Sequence, residues 1–438
     1  MEGKPTLAWK EQEEEWRRAL KAPFILSQVS SRWREIVLDT PELWSTIYVR
    51  LDRCYPPHGL RLYLERSKDV GLDIIIRESA SGPWWQWEHT MTTLFSPDVM
   101  ARFRRLAITH VELAPPVFGA FDNTLAFPRL ESVYFLKSNL PSLYWSWLWE
   151  VVRRAPRLDN VFGIGMDESQ IPFEALTESN IRSLELTSTY GGLDRGLLHV
   201  LPTLRNLESL TLRNLNSRVS RPCLPLPPVR CESLRDLKII QSHSHTDRVI
   251  LQHLDLPNLL SLDLNFREQI HSFEGLLSLL SNLASLRVLS LVFNKPPSGR
   301  IARILDKIPN LTVIAVGVHD HASSFDSLNP FPQLCAELAE RPTICPKLRS
   351  LTLAMEEDCV TRSMLENIQG FIEGRGSTLS KFKLITAPPV EPRATQDEGV
   401  PTALQSIRTV CPTFEYTYLP RALFQCETPI ESYRSLLD

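Results

Sequence analysis

The sequence predicts an α/β solenoid, with short parallel strands on one face and helices or irregular segments on the other. Three observations carry this. A short apolar signature recurs along most of the chain at intervals in the mid-twenties. Each copy is too small to bury its own apolar side, so copies have to stack into a continuous core. Apolar-proline pairs precede many copies, as at Phe127-Pro128, Leu256-Pro257, Ile308-Pro309, Cys345-Pro346 and Cys411-Pro412. Such pairs mark helix ends before strands, because the residue ahead of proline avoids the helical region.

The signature is one apolar residue followed by others three and five places on. It fits Phe103/Leu106/Ile108, Leu130/Val133/Phe135, Ile181/Leu184/Leu186, Leu207/Leu210/Leu212 and Leu234/Leu237/Ile239. It continues at Leu259/Leu262/Leu264, Leu286/Leu289/Leu291, Leu311/Ile314/Val316, Leu348/Leu351/Leu353 and Leu379/Phe382/Leu384. Leu158/Val161 is a weaker copy with Gly163 in third place. Successive first positions lie 27, 28, 23, 26, 27, 25, 27, 25, 37 and 31 residues apart. This period and signature resemble those of leucine-rich repeats.

The second and third positions are two apart, so both point to one side of a short strand. A returning segment such as residues 273–283 covers that side. Each buried leucine contributes roughly 1.5–3 kcal/mol before entropy is counted. The intervening position is expected on the inner face of the array, where Glu185, Thr211, Lys238, Asp263, Ser290 and Thr352 are presented to a protein target. The usual asparagine of the turn after the strand stands in register only at Asn294. Ser138, Thr189, Ser242 and Leu215 take its place elsewhere, which predicts an irregular solenoid.

Taken from its start, the chain opens with a charged helix over residues 1–21. Its Glu13–Arg17 and Glu14–Arg18 spacings support an exposed helix. Trp9 and Trp16 would pack on Trp33 if that helix closed over the next segment. Residues 22–50 form a second unit, in which Leu26, Val29, Trp33, Ile36 and Val37 recur at three and four, on one side of one or two short helices. Pro41 stops the helical pattern, Leu43 and Trp44 follow, and Ile47, Val49 and Leu51 alternate as in a strand.

Leu26-Ser27-Gln28-Val29-Ser30-Ser31-Arg32-Trp33-Arg34-Glu35-Ile36, followed by Thr40-Pro41-Glu42-Leu43-Trp44, resembles the second half of an F-box of the kind common in mushroom-forming fungi. The motif's opening helix, with its Leu-Pro-x-Glu-Ile-Leu wording, does not precede Ala22, so the resemblance is to a partial F-box. F-boxes dock the Skp-type adaptor of a cullin-RING ubiquitin ligase. The resemblance therefore implies adaptor contact or its scaffold at Pro23, Leu26, Val29, Trp33, Ile36, Pro41, Leu43 and Trp44. The Cys-Pro repeat starts also resemble those of F-box proteins carrying leucine-rich repeats.

The solenoid is expected over residues 51–402. It begins with a helix at 60–67 and a β-prone run at 70–76, and its interruptions are Arg218–Arg230, Ser323–Thr343 and Thr386–Pro401. Trp84-Trp85-Gln86-Trp87 reads as an aromatic shelf or as a shield for the open end of the array. Tyr144 to Val152 reads as an aromatic helix packed on the core. Residues 403–438 close the far end.

Bulk properties fit this picture. A chain of 438 residues with 43% hydrophobic and 23% charged side chains is long enough for two domains or one elongated repeat. Its net charge of −3 lacks the positive excess of a broad nucleic-acid surface. Thirty-three prolines against seventeen glycines favour stiff connections. Eight cysteines without a C-x-x-C pair, and no visible secretory signal, point to reduced, buried thiols in the cytoplasm, the nucleus or both. The most apolar stretch, residues 276–293, reads as a helix followed by a strand, not a membrane span.

The remaining motifs are weak. Pro225-Leu226-Pro227-Pro228-Val229-Arg230 satisfies a P-x-x-P-x-R pattern, which is an SH3 ligand or a stiff loop. His243, His245 and His253, and the group His319, Asp320 and His321, lack the converging partners of a metal site. Gly163-Ile164-Gly165 lacks the third glycine of a dinucleotide loop.

No catalytic residue, metal or cofactor is expected. The leading expectation is a substrate-recognition subunit of an SCF-type ubiquitin ligase, whose partners are the Skp-type adaptor, its cullin complex and a protein target. The alternative is a stand-alone interaction scaffold that has lost adaptor binding.

Overall fold

The structure is a computed structural model. It describes residues 18, 20–50, 57–77, 88–109, 126–136, 149–165, 176–177, 179–187, 194–213, 228–242, 251, 253–266, 273–293, 301–318, 331–341, 343–356, 360–375, 378–387 and 400–418. The protein is α/β, with fourteen parallel strands that follow one another in sequence order. Its contacts divide the chain into two compact units, Met1–Leu210 and Thr211–Asp438.

In the first unit a helical segment over residues 20–27 and helix α1 (Ser31–Asp39) lead into strand β1 (Thr46–Arg50). Helix α2 (Pro57–Arg66) returns the chain to β2 (Leu72–Arg77), which pairs in parallel with β1. The strand that the sequence read as running out of the helical motif is thus the first of the sheet. Helices α3 (Glu88–Leu94) and α4 (Pro97–Met100) precede β3 (Phe103–Thr109), followed by β4 (Ser132–Leu136), β5 (Asn160–Gly165) and β6 (Ser183–Thr187). Helix α5 (Asp194–Val200) then leads to β7 (Ser209–Arg213), whose first two residues close this unit and whose last three open the second.

Two irregularities have local causes. Between β2 and β3 the register skips Arg104, whose Nε and Nη2 fork onto the Asp73 carboxylate at 2.9 and 2.6 Å. In β5 the register shifts between Val161 and Ile164, so that Ile164 pairs with Leu186. Gly163 lies inside this shift at φ 77°, a conformation that side chains other than glycine seldom adopt. The weak repeat copy is therefore a bulge, with the third apolar place moved one residue on.

In the second unit the pair β8 (Val229–Arg230) and β10 (Leu254–Asp255) flanks β9 (Asp236–Ser242) in sequence. Strand β9 pairs with β11 (Ser261–Phe266), and β12 (Val288–Phe293), β13 (Val313–Val318), β14 (Ser350–Glu356), β15 (Lys381–Ala387) and β16 (Phe414–Tyr418) follow, each parallel to the last. Parallel neighbours need crossovers. Here these include helices α6 (Phe273–Ser281), α7 (Ile301–Asp306), α8 (Phe331–Glu340), α9 (Arg362–Arg375) and α10 (Val400–Val410). The 37-residue interval holds α8, which packs on α9.

The signature residues are the core. Leu259, Leu262, Leu264, Leu286, Leu289, Leu291, Leu311, Ile314 and Val316 are all wholly buried. Most copies are introduced by a tight turn: Leu259 N–H donates to Leu256 O at 3.2 Å, and Leu311 N–H to Ile308 O at 3.3 Å. Proline at the second place of such a turn is pre-set for it.

One carbonyl then receives two N–H groups of the next strand. Arg235 O accepts from Leu260 and Ser261 at 2.8 and 3.0 Å, and Arg287 O from Thr312 and Val313 at 2.8 and 3.0 Å. Asparagines before the strand brace the same turns. Asn258 Nδ2 donates to Glu232 O at 2.8 Å and Asn310 Nδ2 to Ala284 O at 2.9 Å. The asparagine expected after the strand, Asn294, lies outside the described residues.

Cys345 opens its turn at φ 49° and is braced by Arg375, which donates through Nη1 to Cys345 O and through Nη2 to Ile344 O. Burial lowers the Arg375 pKa. The described cysteines Cys231, Cys335, Cys345 and Cys411 are free thiols and buried. Burial pushes Cys231 up to about 11, and Cys335 and Cys345 up to about 12.

Leu289→Ala should therefore cost about 2–5 kcal/mol of stability in urea unfolding. Leu260→Ala, half-buried at the start of β11, should cost no more than about 1 kcal/mol. Alkylation of the native protein at neutral pH, mapped by mass spectrometry, should leave Cys231, Cys335 and Cys345 unmodified. Their raised pKa values also fix a sign: the stability they contribute is present below the unfolded thiol value and is lost as pH climbs toward 11–12.

Candidate functional site

The helical stretch before β1 is built by local hydrogen bonds and anchored by one tryptophan. Ser27 Oγ donates to Phe24 O at 2.9 Å near the end of the first helical segment. Ser30 caps α1 from an extended conformation, its Oγ accepting Trp33 N–H at 3.2 Å. Arg34 reaches back, Nε donating to Ser27 O at 3.2 Å. At the other end Thr40 Oγ1 donates to Ile36 O at 2.7 Å, and Pro41 starts the 3-10 turn Pro41–Trp44.

Trp44 is 3% exposed, and its Nε1–H donates to Val37 O at 2.8 Å. Its ring meets Tyr63 of α2 edge-on at 5.3 Å and Phe24 at 5.8 Å. The Tyr63 hydroxyl closes the arrangement by donating to Leu20 O at 2.6 Å. Beyond the turn, Ser45 O accepts Asp73 N–H at 2.9 Å, which ties the motif to β2.

This anchoring divides the residues that the resemblance singles out. Pro23 and Trp44 turn inward, while Leu26, Pro41 and Leu43 are half-buried. Val29, Trp33 and Ile36 face out at 62%, 44% and 48% exposure. Phe24 and Ile25 join them at 45% and 61%. Among the described residues the only other exposed large hydrophobic is Tyr418. Phe24 and Ile25 escaped the sequence reading, although a signal was present: Pro23-Phe24-Ile25-Leu26 is four apolar residues in a row, too many for one face of a helix.

The inner-face expectation needs correction. Thr211 and Lys238 are 8% exposed, and Asp263, Ser290 and Thr352 are wholly buried; Glu185 is half-buried. Five of the six are therefore not presented to solvent. In register Lys238, Asp263, Ser290, Ala315 and Thr352 form one row, and Val288, Val292, Ala354 and Ile385, which also alternate with the signature residues, are buried as well. Strand β12 is buried along its whole length. Parallel strands covered on both sides read as near-continuous apolar runs, as Val-Leu-Ser-Leu-Val-Phe and Val-Ile-Ala-Val-Gly-Val do here.

Other motifs resolve more simply. Val229 is buried in β8, and Arg230 lies 3.0 Å from Glu232, so the end of the P-x-x-P-x-R pattern is engaged within the fold. Trp149 is 2% exposed in a helix over residues 149–153. Trp9, Trp16, Trp84 to Trp87, Tyr144 to Leu148, His243, His245, His319, Asp320 and His321 lie outside the described residues. Among the described residues no group of three metal-ligating side chains converges, and no helix is long and apolar enough to cross a membrane.

A scan against protein-family models gives no match, and no curated protein is significantly similar.

The division between Trp33 and Trp44 predicts unequal mutants. Trp44→Ala should lower unfolding free energy by about 3–5 kcal/mol. Trp33→Ala, with much of its ring in water, should lower it by about 1 kcal/mol. Chemical denaturation followed by far-UV circular dichroism separates the two.

Proposed function

We propose that the chain is the substrate-recognition subunit of an SCF-type cullin-RING ubiquitin ligase, built as a partial F-box ahead of an irregular leucine-rich-repeat solenoid. The observation that carries the proposal is the outward apolar face of residues 24–36. Burying five large hydrophobics on a partner offsets the cost of holding them in water, roughly 1.5–3 kcal/mol for each one fully covered. Trp33 and Ile36, three apart on α1, share a side of the helix, the arrangement by which an amphipathic helix fits a groove. Pro23, Leu26, Pro41, Leu43 and Trp44 set the shape of that face, and Phe24, Ile25, Val29, Trp33 and Ile36 make the contact.

Such a subunit carries no catalytic residue. It holds the Skp-type adaptor, and through it the cullin, at one place and a protein target at another, raising the local concentration of a target lysine beside the ubiquitin donor. The expected compartment is the cytoplasm or nucleus, where that machinery operates.

The test is capture of the purified chain by immobilised Skp-type adaptor. Wild type should be retained, and the double variant Ile25→Ser/Val29→Ser should lose at least about tenfold in affinity, with an unchanged circular dichroism spectrum because both side chains are exposed. Failure of wild type to bind, or equal binding by the variant, removes the ligase reading and leaves the interaction scaffold.

A further inference from the structure

We infer that the rim of the second unit, where its strands begin, binds an extended acidic segment whose negative groups recur at every third residue. The inference concerns what the repeat array holds. It rests on the array's proposed role as the target-holding part, and not on adaptor docking.

The rim is a chain of hydrogen bonds. Leu260 N–H donates to Arg235 O, Arg287 N–H to Leu260 O, Thr312 N–H to Arg287 O, and Arg349 N–H to Thr312 O, at 2.8 to 2.9 Å. Every second member of this chain is an arginine. Arg235, Arg287 and Arg349 are exposed, and no carboxylate among the described residues forms an ion pair with any of them. The members between them are Leu260 and Thr312, both uncharged, and Ser380 follows. The row one turn earlier reads Ser233, Asn258, Ser285, Asn310, Lys347 and Thr378, again without an acid. Equivalent places in the first unit mix signs, at Arg104, Glu131, Asp159, Arg182 and Glu208, so basic spacing is not a general property of the repeat.

Spacing selects the ligand. Neighbouring strands lie about 4.8 Å apart, so successive arginines sit about 10 Å apart on a backbone that hydrogen bonds hold fixed. An extended polyproline-type segment advances about 3.1 Å per residue with three residues per turn, which brings every third side chain to the same side at about 9 Å intervals. Carboxylates or phosphates at those places meet the guanidinium forks in bidentate pairs. A nucleic-acid strand fits less well: its phosphates come about every 3.4 Å along the helix axis. The rim rows also hold no aromatic side chain on which a base could stack.

The experiment measures fluorescence anisotropy of labelled synthetic peptides with the full chain at low salt. One peptide series carries glutamate or phosphoserine at every third residue, and an equal-charge series carries them at every second. Binding of the first should be at least about tenfold tighter than of the second. Each of Arg235→Gln, Arg287→Gln and Arg349→Gln should weaken it about five- to tenfold, and the triple variant should abolish it. These side chains are exposed and their backbone bonds are kept, so melting curves should be unaltered; if the triple variant melts early, the single variants decide. No preference for spacing, undiminished binding by the variants, or tighter binding of an oligothymidylate probe overturns the inference. The assay contains no adaptor, so its failure and the failure of adaptor capture are separate results.

Discussion

The second unit depends on one repeated contact, the carbonyl at the start of each strand that accepts two N–H groups from the next. A parallel strand with a returning segment cannot satisfy its own backbone, and an unpaired buried amide is costly. Sharing Arg235 O between Leu260 and Ser261, and Arg287 O between Thr312 and Val313, binds consecutive copies where each strand begins. That fixed starting point sets the register, and the register brings Leu262 beside Leu289 and Leu264 beside Leu291. The leucine core follows from the backbone pairing as much as it drives it.

Much of this fold was legible in the sequence, because the signature is local and its chemistry is one-sided. Alternation at two residues decides which side of a strand a leucine takes, and nothing distant is needed to read it. The buried inner row was less legible. Asp263 and Ser290 are polar, and by alternation alone they belong on the solvent side; the register sets Asp263 between Lys238 and Ser290, and Ser290 beside Ala315, a juxtaposition that no single strand's pattern contains. Gly163 illustrates a second limit. Its place in the signature looked like a defect, whereas the register shift shows a bulge that needs a positive φ.

The candidate docking face was legible in part. Periodicity placed Leu26, Val29, Trp33, Ile36 and Val37 on one side, whereas the structure exposes Val29, Trp33 and Ile36, half-buries Leu26 and buries Val37; the pattern alone could not say which residues faced the body of the protein. That is decided by Trp44 and Tyr63, nineteen residues apart in sequence and joined by ring contact. Once Trp44 takes the interior, Trp33 is left outside. A single aromatic anchor therefore sets the polarity of the whole helical motif.

The last described strand joins its neighbour differently from those before it. Where a shared-carbonyl rung would place its donor, Pro412 has no N–H, and the hydroxyl of Thr413 donates to Ser380 O instead. Strand β16 is only partly buried, and Glu415 on it lies 2.9 Å from Lys381 and 3.8 Å from Lys383. Both features tie β16 back to β15: the Thr413 hydroxyl replaces the missing amide, and the Lys381–Glu415 pair joins the same two strands. A side chain thus does at this joint part of what the backbone does at the earlier ones, which leaves the attachment of β16 to β15 open to removal by point substitution.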